Sequence, residues 1–314
     1  MKFDRELGPV LAAEAQAAAG CTVPFPERGD ALSLRTVIDG AFKALVAAVP
    51  GAPEVTMTPY TVTADDGTDI SLRWYVRGGS GTGAAVVYVH GSGKIGGTLE
   101  GFDPLMRHYA QLTGVPFLAV DYRLAPEHQG TTAAEDTFAA LLWLRTHADE
   151  LGVDSSRIAV MGDSGGAICA DTAILARNNG IGLARQILIY PMLDDRNTVP
   201  DPVLAPTATW TYDNNYTGWA ALLGDDLDTD RVSPVAVPAR LRDFTGLAPA
   251  YIEVGTLDIF RDESISFAQN LLWAGVECEL HFHPGAPHGH DWINPDSALN
   301  KRVIADRVRV ITAL

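Results

Sequence analysis

The strongest chemical signal in the chain is Gly162-Asp163-Ser164-Gly165-Gly166, a G-x-S-x-G pattern. It follows the β-type run Arg157-Ile158-Ala159-Val160-Met161 and precedes a helical stretch. A serine hydroxyl becomes a useful nucleophile when it stands clear of the sheet on a tight turn with a base beside it. Flanking glycines let neighbouring backbone pass where a Cβ would clash. The following helix points its N-terminal end at the place where negative charge develops during attack. The competing interpretation is an ordinary glycine-rich βα turn. Placement at a strand-to-helix junction favours Ser164 as a nucleophile.

A nucleophile of this kind needs amide donors for the oxyanion it creates. An earlier strand ends at His90-Gly91-Ser92-Gly93, where small residues leave backbone N–H groups bare. The expected donors are the amides of Ser92, Gly93 and Gly165. His90 is read as a structural histidine rather than a proton carrier.

The serine also needs a base and a carboxylate to orient it. In the strand-turn-helix class the chain order is Ser, acid, His. Asp258 lies in Gly255-Thr256-Leu257-Asp258, just past a strand and at the sheet edge where ligands bind. Asp262 and Glu263 compete, but they open a helix, where acidic groups serve the dipole. Four histidines fall between 281 and 290. His281 and His283 alternate with Cys278, Leu280 and Phe282, share a face with Glu277 and Glu279, and are expected to be solvated. His288 and His290 lie in the loop beyond. His288, between Pro287 and Gly289, is the preferred base, and His290 is the alternative.

These residues need a frame to hold them. Helical patterns cover 3–19, stopped by Gly20 and Pro24-Phe25-Pro26, and 31–48, stopped by Pro50-Gly51. Strands over 55–63 and 69–77 flank Asp65-Asp66-Gly67-Thr68, a hairpin signal. Strands 84–89, 116–121, 157–161, 186–190, 249–254 and 276–282 then alternate with helices 103–113, 131–148, 165–178, 261–274 and 297–313. That alternation predicts an α/β fold with a mostly parallel central sheet and helices on both faces. The stretch from about 191 to 245 has weak periodicity and reads as an insertion over one end of the sheet. The expected organisation is an N-terminal helical segment, 1–50, and a catalytic domain, 51–314, carrying that insertion. Trp210, Tyr212, Tyr216 and Trp219 within it either line an apolar substrate pocket or pack the insertion onto the core.

With 314 residues, 47% of them apolar, the chain can bury a sizeable core. A net charge of −16 repels phosphate backbones, so no nucleic-acid partner is expected and neutral substrates fit best. Three scattered cysteines, Cys21, Cys169 and Cys278, argue against a disulfide framework and for the cytoplasm. Neither a signal peptide nor a membrane span is expected.

Taken together the motifs resemble the hormone-sensitive-lipase family of esterases. The resemblance covers about 52–314. It rests on the oxyanion segment from His90, on Asp121-Tyr122-Arg123-Leu124-Ala125-Pro126-Glu127, on Gly162 to Gly166, on Asp258 to Glu263 and on His288-Gly289. It implies an α/β-hydrolase fold with a two-part helical cap, no cofactor, neutral esters of short to medium acyl chains, and frequent homodimers. It also implies that Asp121, Arg123 and Glu127 are structural supports. Five positions depart from the family pattern: Ser92 for the middle glycine, Gly165 for alanine, Ile259-Phe260 for Pro-Leu, and His290 for phenylalanine on the leaving-group side. They bear on substrate preference. A trypsin-like protease shares Gly-Asp-Ser-Gly-Gly, but is all-β with His and Asp upstream. A binding protein on the same fold, and an amidase or lactonase on the same three side chains, are the other readings.

Overall fold

Residues of β3 (Ala85–Val89) alternate between two cores: Ala85, Val87 and Val89 enter one, Val86 and Tyr88 the other. A strand whose two faces are both buried reads as a continuous apolar run, and this one does. The computed structural model describes residues 2–18, 25–79, 81 and 83–314. Cys21 and the expected helix stop at Gly20 and Pro24 lie outside them.

The remaining strands are β1 (Val55–Thr63), β2 (Asp69–Arg77), β4 (Phe117–Val120), β5 (Ile158–Asp163), β6 (Arg185–Ile189), β7 (Ala250–Gly255) and β8 (Cys278–His283). They form one eight-stranded sheet in the order β1-β2-β4-β3-β5-β6-β7-β8. β2 runs antiparallel to β1 and β4, and all other pairs are parallel. The β1–β2 hairpin closes at the expected place, with Gly67 at φ +87° and Thr68 N donating to Asp66 Oδ1 at 3.0 Å.

The helices are α1 (Gly8–Ala18), α2 (Ala31–Val46), α3 (Leu99–Thr113), α4 (Thr132–Thr146), α5 (Ala148–Leu151), α6 (Ile168–Asn178), α7 (Tyr212–Leu223), α8 (Arg261–Trp273), α9 (His290–Ile293) and α10 (Ala298–Thr312). Apolar residues of α4, α6 and α8 fill one side of the sheet, and those of α3 and α10 the other. α3 begins four residues earlier than expected because Thr98 caps it, accepting from Gly101 N at 3.0 Å. None of these helices is long and apolar enough to cross a membrane.

α7 occupies the stretch that lacked periodicity. Its buried residues run from Tyr212 to Leu223 on nearly every side, so no amphipathic stripe marks it. It packs with α2 and with Ile259 and Phe260 in a separate apolar cluster. Gly29 N donates to Thr217 Oγ1 at 2.9 Å, and the Arg28 guanidinium lies 3.9 Å from the Tyr216 ring centre. Residues before α1 pack elsewhere: Leu7 joins Ala286, Leu299 and Val303, and Asp4 N donates to Gly285 O at 2.9 Å. The Asp121–Glu127 block acts as a joint. Arg123 bonds Asp136 at 2.7 Å and Asp66 at 2.6 Å, and Glu127 accepts from Arg35 of α2 at 2.6 Å.

The histidine face of β8 corrects the alternation argument. The His281 and His283 side chains are only 28% and 12% exposed, whereas Phe282 is 39% exposed. α10 covers the polar face with charged groups, pairing Arg309 with Glu279 and Asp306 with His281. At its centre Arg307 is buried. It donates to Glu253 Oε1 at 2.9 Å, to Asp291 Oδ2 at 2.6 Å and to the Tyr109 hydroxyl at 3.0 Å. Burial opposes ionisation of Glu253 and Asp291, yet the guanidinium holds both carboxyls below their ordinary range.

Replacing Arg307 by Met strands two buried carboxylates. The expected cost is about 3–5 kcal/mol, read as a thermal midpoint lower by about 5–10 °C in calorimetry. An unchanged midpoint would remove this network from the stability account.

Candidate active site

β5 delivers Ser164 to the carboxyl edge of the sheet in the left-handed region, φ +55°, followed by a short 3-10 turn and α6. Both flanking glycines are needed for close approach. A Cβ on Gly162 would lie 2.0 Å from Gly166 O, and one on Gly166 would lie 2.2 Å from Val89 O. Ser164 is 6% exposed. Its Oγ lies 2.8 Å from His288 Nε2, and His288 Nδ1 lies 2.8 Å from Asp258 Oδ2. Asp258 is fully buried, and its other oxygen accepts from Phe260 N at 2.9 Å. The three expected side chains are therefore linked in series, although they come from the turn after β5, the loop after β7 and the loop after β8.

The imidazole is boxed by rings. Tyr190 and Phe260 meet it edge-on at 4.9 and 5.0 Å between centres, and Trp210 tilts over it at 6.3 Å. Thr209 Oγ1 donates to the His288 carbonyl at 2.7 Å, tying the insertion to the loop. An imidazole held this way can take a proton from the serine while the carboxylate steadies the resulting charge.

The Ser92-Gly93-Lys94 loop lies against the serine turn, with φ +83°, +64° and +65° in succession. A Cβ on Gly165 would come within 2.5 Å of both Gly93 N and Lys94 N, so these amides and Gly165 crowd one spot. Any side chain at 93 would strike Trp210 at 2.6 Å. Beneath the loop His90 is buried between Phe102 and Tyr122, with ring centres 4.9 and 4.4 Å away. Burial pushes its pKa down to about 4. It is a neutral packing group, not a proton carrier.

Other expected site residues fall elsewhere. His290 is fully buried, not on a pocket wall; its Nδ1 lies 2.7 Å from Asn300 Oδ1. The four aromatic residues do not line one pocket. Trp210 faces His288, while Tyr212, Tyr216 and Trp219, spaced along α7, meet successive neighbours. Tyr212 lines a surface cleft with Leu204 and Ile259, Tyr216 lies under Arg28, and Trp219 is buried 5.1 Å from Lys94 Nζ.

Two groups near the site had not been singled out in the sequence. Asp163 accepts from the buried Tyr88 hydroxyl, and burial raises its carboxyl to about 6. Lys94 Nζ pairs with Asp171 Oδ2 at 2.9 Å, both buried, anchoring the loop to α6. The available signal was an aspartate in the apolar run Ile168 to Ala173.

Comparison with known proteins agrees with this architecture. Residues 86–291 match the family described as alpha/beta hydrolase fold. Over 247 residues the chain is 37% identical to a carboxylesterase, NlhH, of Mycobacterium tuberculosis, covering 76% of each chain. It is 32% identical over 259 residues to an ethyl acetate hydrolase of Pseudomonas putida, covering 78% of each. Among solved structures, a bacterial heroin esterase superposes with a TM-score of 0.88 at 33% identity, covering 99% of this chain and 98% of the other. Fold and relatives together define an ester-hydrolysing enzyme. Within that class the chain belongs to the hormone-sensitive-lipase family of α/β-hydrolases.

The depressed His90 pKa has a defined sign. The folded state prefers neutral imidazole, so this contribution is complete above the ordinary value of 6.5 and is lost as pH falls toward 4. Chemical denaturation at pH 7 and pH 4.5 should show His90→Gln losing about 2–3 kcal/mol less than wild type over that interval. Equal losses would mean that His90 does not titrate in this way.

Proposed function

We propose that the chain is a serine carboxylic-ester hydrolase that cleaves neutral esters of short to medium acyl chains. In this reading Ser164 is the nucleophile, His288 the base and Asp258 its orienting carboxylate. The observation that carries it is the pair of 2.8 Å contacts linking the three side chains. His288 Nε2 takes the hydroxyl proton as Oγ attacks the ester carbonyl. The amides of Ser92, Gly93 and Gly165 receive the oxyanion. The imidazolium then protonates the leaving alcohol, and an acyl-enzyme remains. Water, losing its proton to His288, attacks the acyl carbon and frees the acid and the serine. These steps need no cofactor.

Substrate choice is assigned to a two-part cap, residues 1–50 and about 191–245, over a catalytic domain of 51–314. The joint packing of α2 and α7 above the sheet edge supports that division. Trp210 is the one aromatic residue of the insertion proposed to touch the substrate, since it covers both Gly93 and His288. The net charge of −16 disfavours anionic esters, and the ethyl acetate hydrolase relative points to small neutral ones. Free Cys169 and Cys278 fit a reducing cytoplasm. A homodimer is also proposed. β8 is an edge strand, and Leu272, Trp273 and Phe282 around it are exposed.

Hydrolysis of p-nitrophenyl esters from acetate to laurate tests the chemistry. Turnover should favour the shorter chains, and Ser164→Ala should lose at least about a thousandfold in kcat. Near-normal turnover by that variant would sink the assignment. For the dimer, light scattering should report two copies for wild type and one for Trp273→Glu. A monomeric wild type at tens of micromolar would end that part of the proposal.

A further inference from the structure

Behind the His288 loop lies a second group of ligating side chains, which the ester chemistry does not use. Glu253 near the end of β7, His283 at the end of β8 and His290 at the start of α9 direct one donor atom each toward a common point. All three atoms lie within 4.8 Å of one another. The His283 Nε2 to Glu253 Oε2 distance is 4.0 Å. Glu253 and His290 are fully buried. The Nε2 atoms of both histidines are buried and have no hydrogen-bond partner among the described residues. Orphaned imidazole nitrogens in such a place require an explanation.

The tautomer of His290 follows from its neighbour. Asn300 Nδ2 donates to the His290 carbonyl at 2.8 Å and to the Asn294 carbonyl at 2.7 Å. Its Oδ1 is therefore the acceptor that faces His290 Nδ1 at 2.7 Å, so Nδ1 carries the proton. That leaves Nε2 with a bare lone pair aimed into the cluster. A ring held by a bond from its far nitrogen, with its near nitrogen free, is the usual arrangement of a metal-binding histidine.

Charge points the same way. Glu253 and Asp291 are two carboxylates paired with the single guanidinium of Arg307, and the other basic group facing Glu253 is the His283 imidazole, so with neutral rings a bound cation would balance this layer. Glu253 Oε2 already accepts from the Tyr251 hydroxyl at 2.7 Å, and its second lone pair can still serve a cation.

We propose that Glu253, His283 and His290 form a divalent transition-metal site of the zinc class, clamping the two ends of the loop that carries His288. Two imidazoles and one carboxylate are a donor set that zinc accepts, with a fourth position left for water. Zinc bonds of about 2.0–2.1 Å require the donors to draw together by roughly 1 Å. His283 can make that movement, because it ends its strand and its side chain is 12% exposed. The site is separate from the ester chemistry, so its fate does not depend on Ser164.

The test titrates metal-free protein with Co²⁺ and then with Zn²⁺. Tetrahedral Co²⁺ should give visible d–d bands that saturate at one equivalent and are bleached by Zn²⁺. Dialysed protein should retain one zinc by elemental analysis. The thermal midpoint should rise by about 3–6 °C when zinc is in hundredfold excess over its dissociation constant. His290→Phe and, separately, His283→Gln should abolish the bands, the retained zinc and the thermal shift. If His290→Phe fails to fold, His283→Gln decides, because that side chain stands at a strand end. Wild type that binds neither ion at micromolar concentration, or either folded variant that binds as wild type does, would overturn the proposal.

Discussion

The structure turns on the contact between the ends of two neighbouring parallel strands, β3 and β5. They pair in register from Ala85 and Ile158 to Val89 and Gly162, so both chains leave the sheet at one edge, side by side. Backbone then touches backbone. Gly166 lies against the Val89 carbonyl, and Gly165 against the amides of Gly93 and Lys94. No larger residue fits at 162, 165 or 166 without pushing these segments apart. The serine turn and the amides of Gly93 and Lys94 thus share one rigid junction. The usual source of imprecision in such sites, two loops moving independently, is removed by contact.

His288 reaches this junction from the β8 edge of the sheet, and its loop is held by polar as well as apolar burial. The chain from 284 to 291 leaves β8 at an edge where only β7 flanks it. Arg307 binds Glu253 of β7 and Asp291 at the loop's far end, and Asp291 also accepts from the Tyr190 hydroxyl at 3.0 Å. Tyr190 in turn stands edge-on to the His288 ring. A buried ion network is a weak source of net stability, because desolvation offsets most of its Coulombic gain. Its directional bonds specify one position for the loop, which is what a satisfied polar network contributes beyond net stability.

Most of this was legible in the residues, for identifiable reasons. Buried parallel strands are short apolar runs, so β3 to β7 could be read to within a few residues of their ends, while β1 and β2 were marked by their hairpin turn and β8 by its alternation. The positions of Ser164, Asp258 and His288 followed from strand ends and chain order. What stayed hidden was polar and long-range. α7 is buried almost all round and so has no stripe. The alternation on β8 predicted solvent on the face that α10 covers, because a helix presenting Arg307 and Arg309 buries glutamates and histidines as readily as water solvates them. His290 looked like a pocket residue by its place beside His288. Its partner, Asn300, lies ten residues further on, in a helix whose approach no local pattern reveals.

The same junction explains why strain collects where it does. Of the five non-glycine residues with positive φ among the described residues, four, Ser92, Lys94, Ser164 and Tyr190, lie in or beside the serine turn or the His288 ring, and the fifth is Asp228. Each such residue costs on the order of 1–3 kcal/mol. These conformations persist because the neighbours over-determine them: Lys94 is tied to Asp171, Tyr190 to Asp291, and the serine turn is wedged against β3. Glycine at 92 or 94 would relieve strain but would free the loop whose amides lie against Gly165. In this chain the Lys94–Asp171 pair fixes that loop from below while Trp210 and Gly218 of the insertion press it from above. Changes in the insertion should therefore reach the 92–94 loop through direct contact with Gly93.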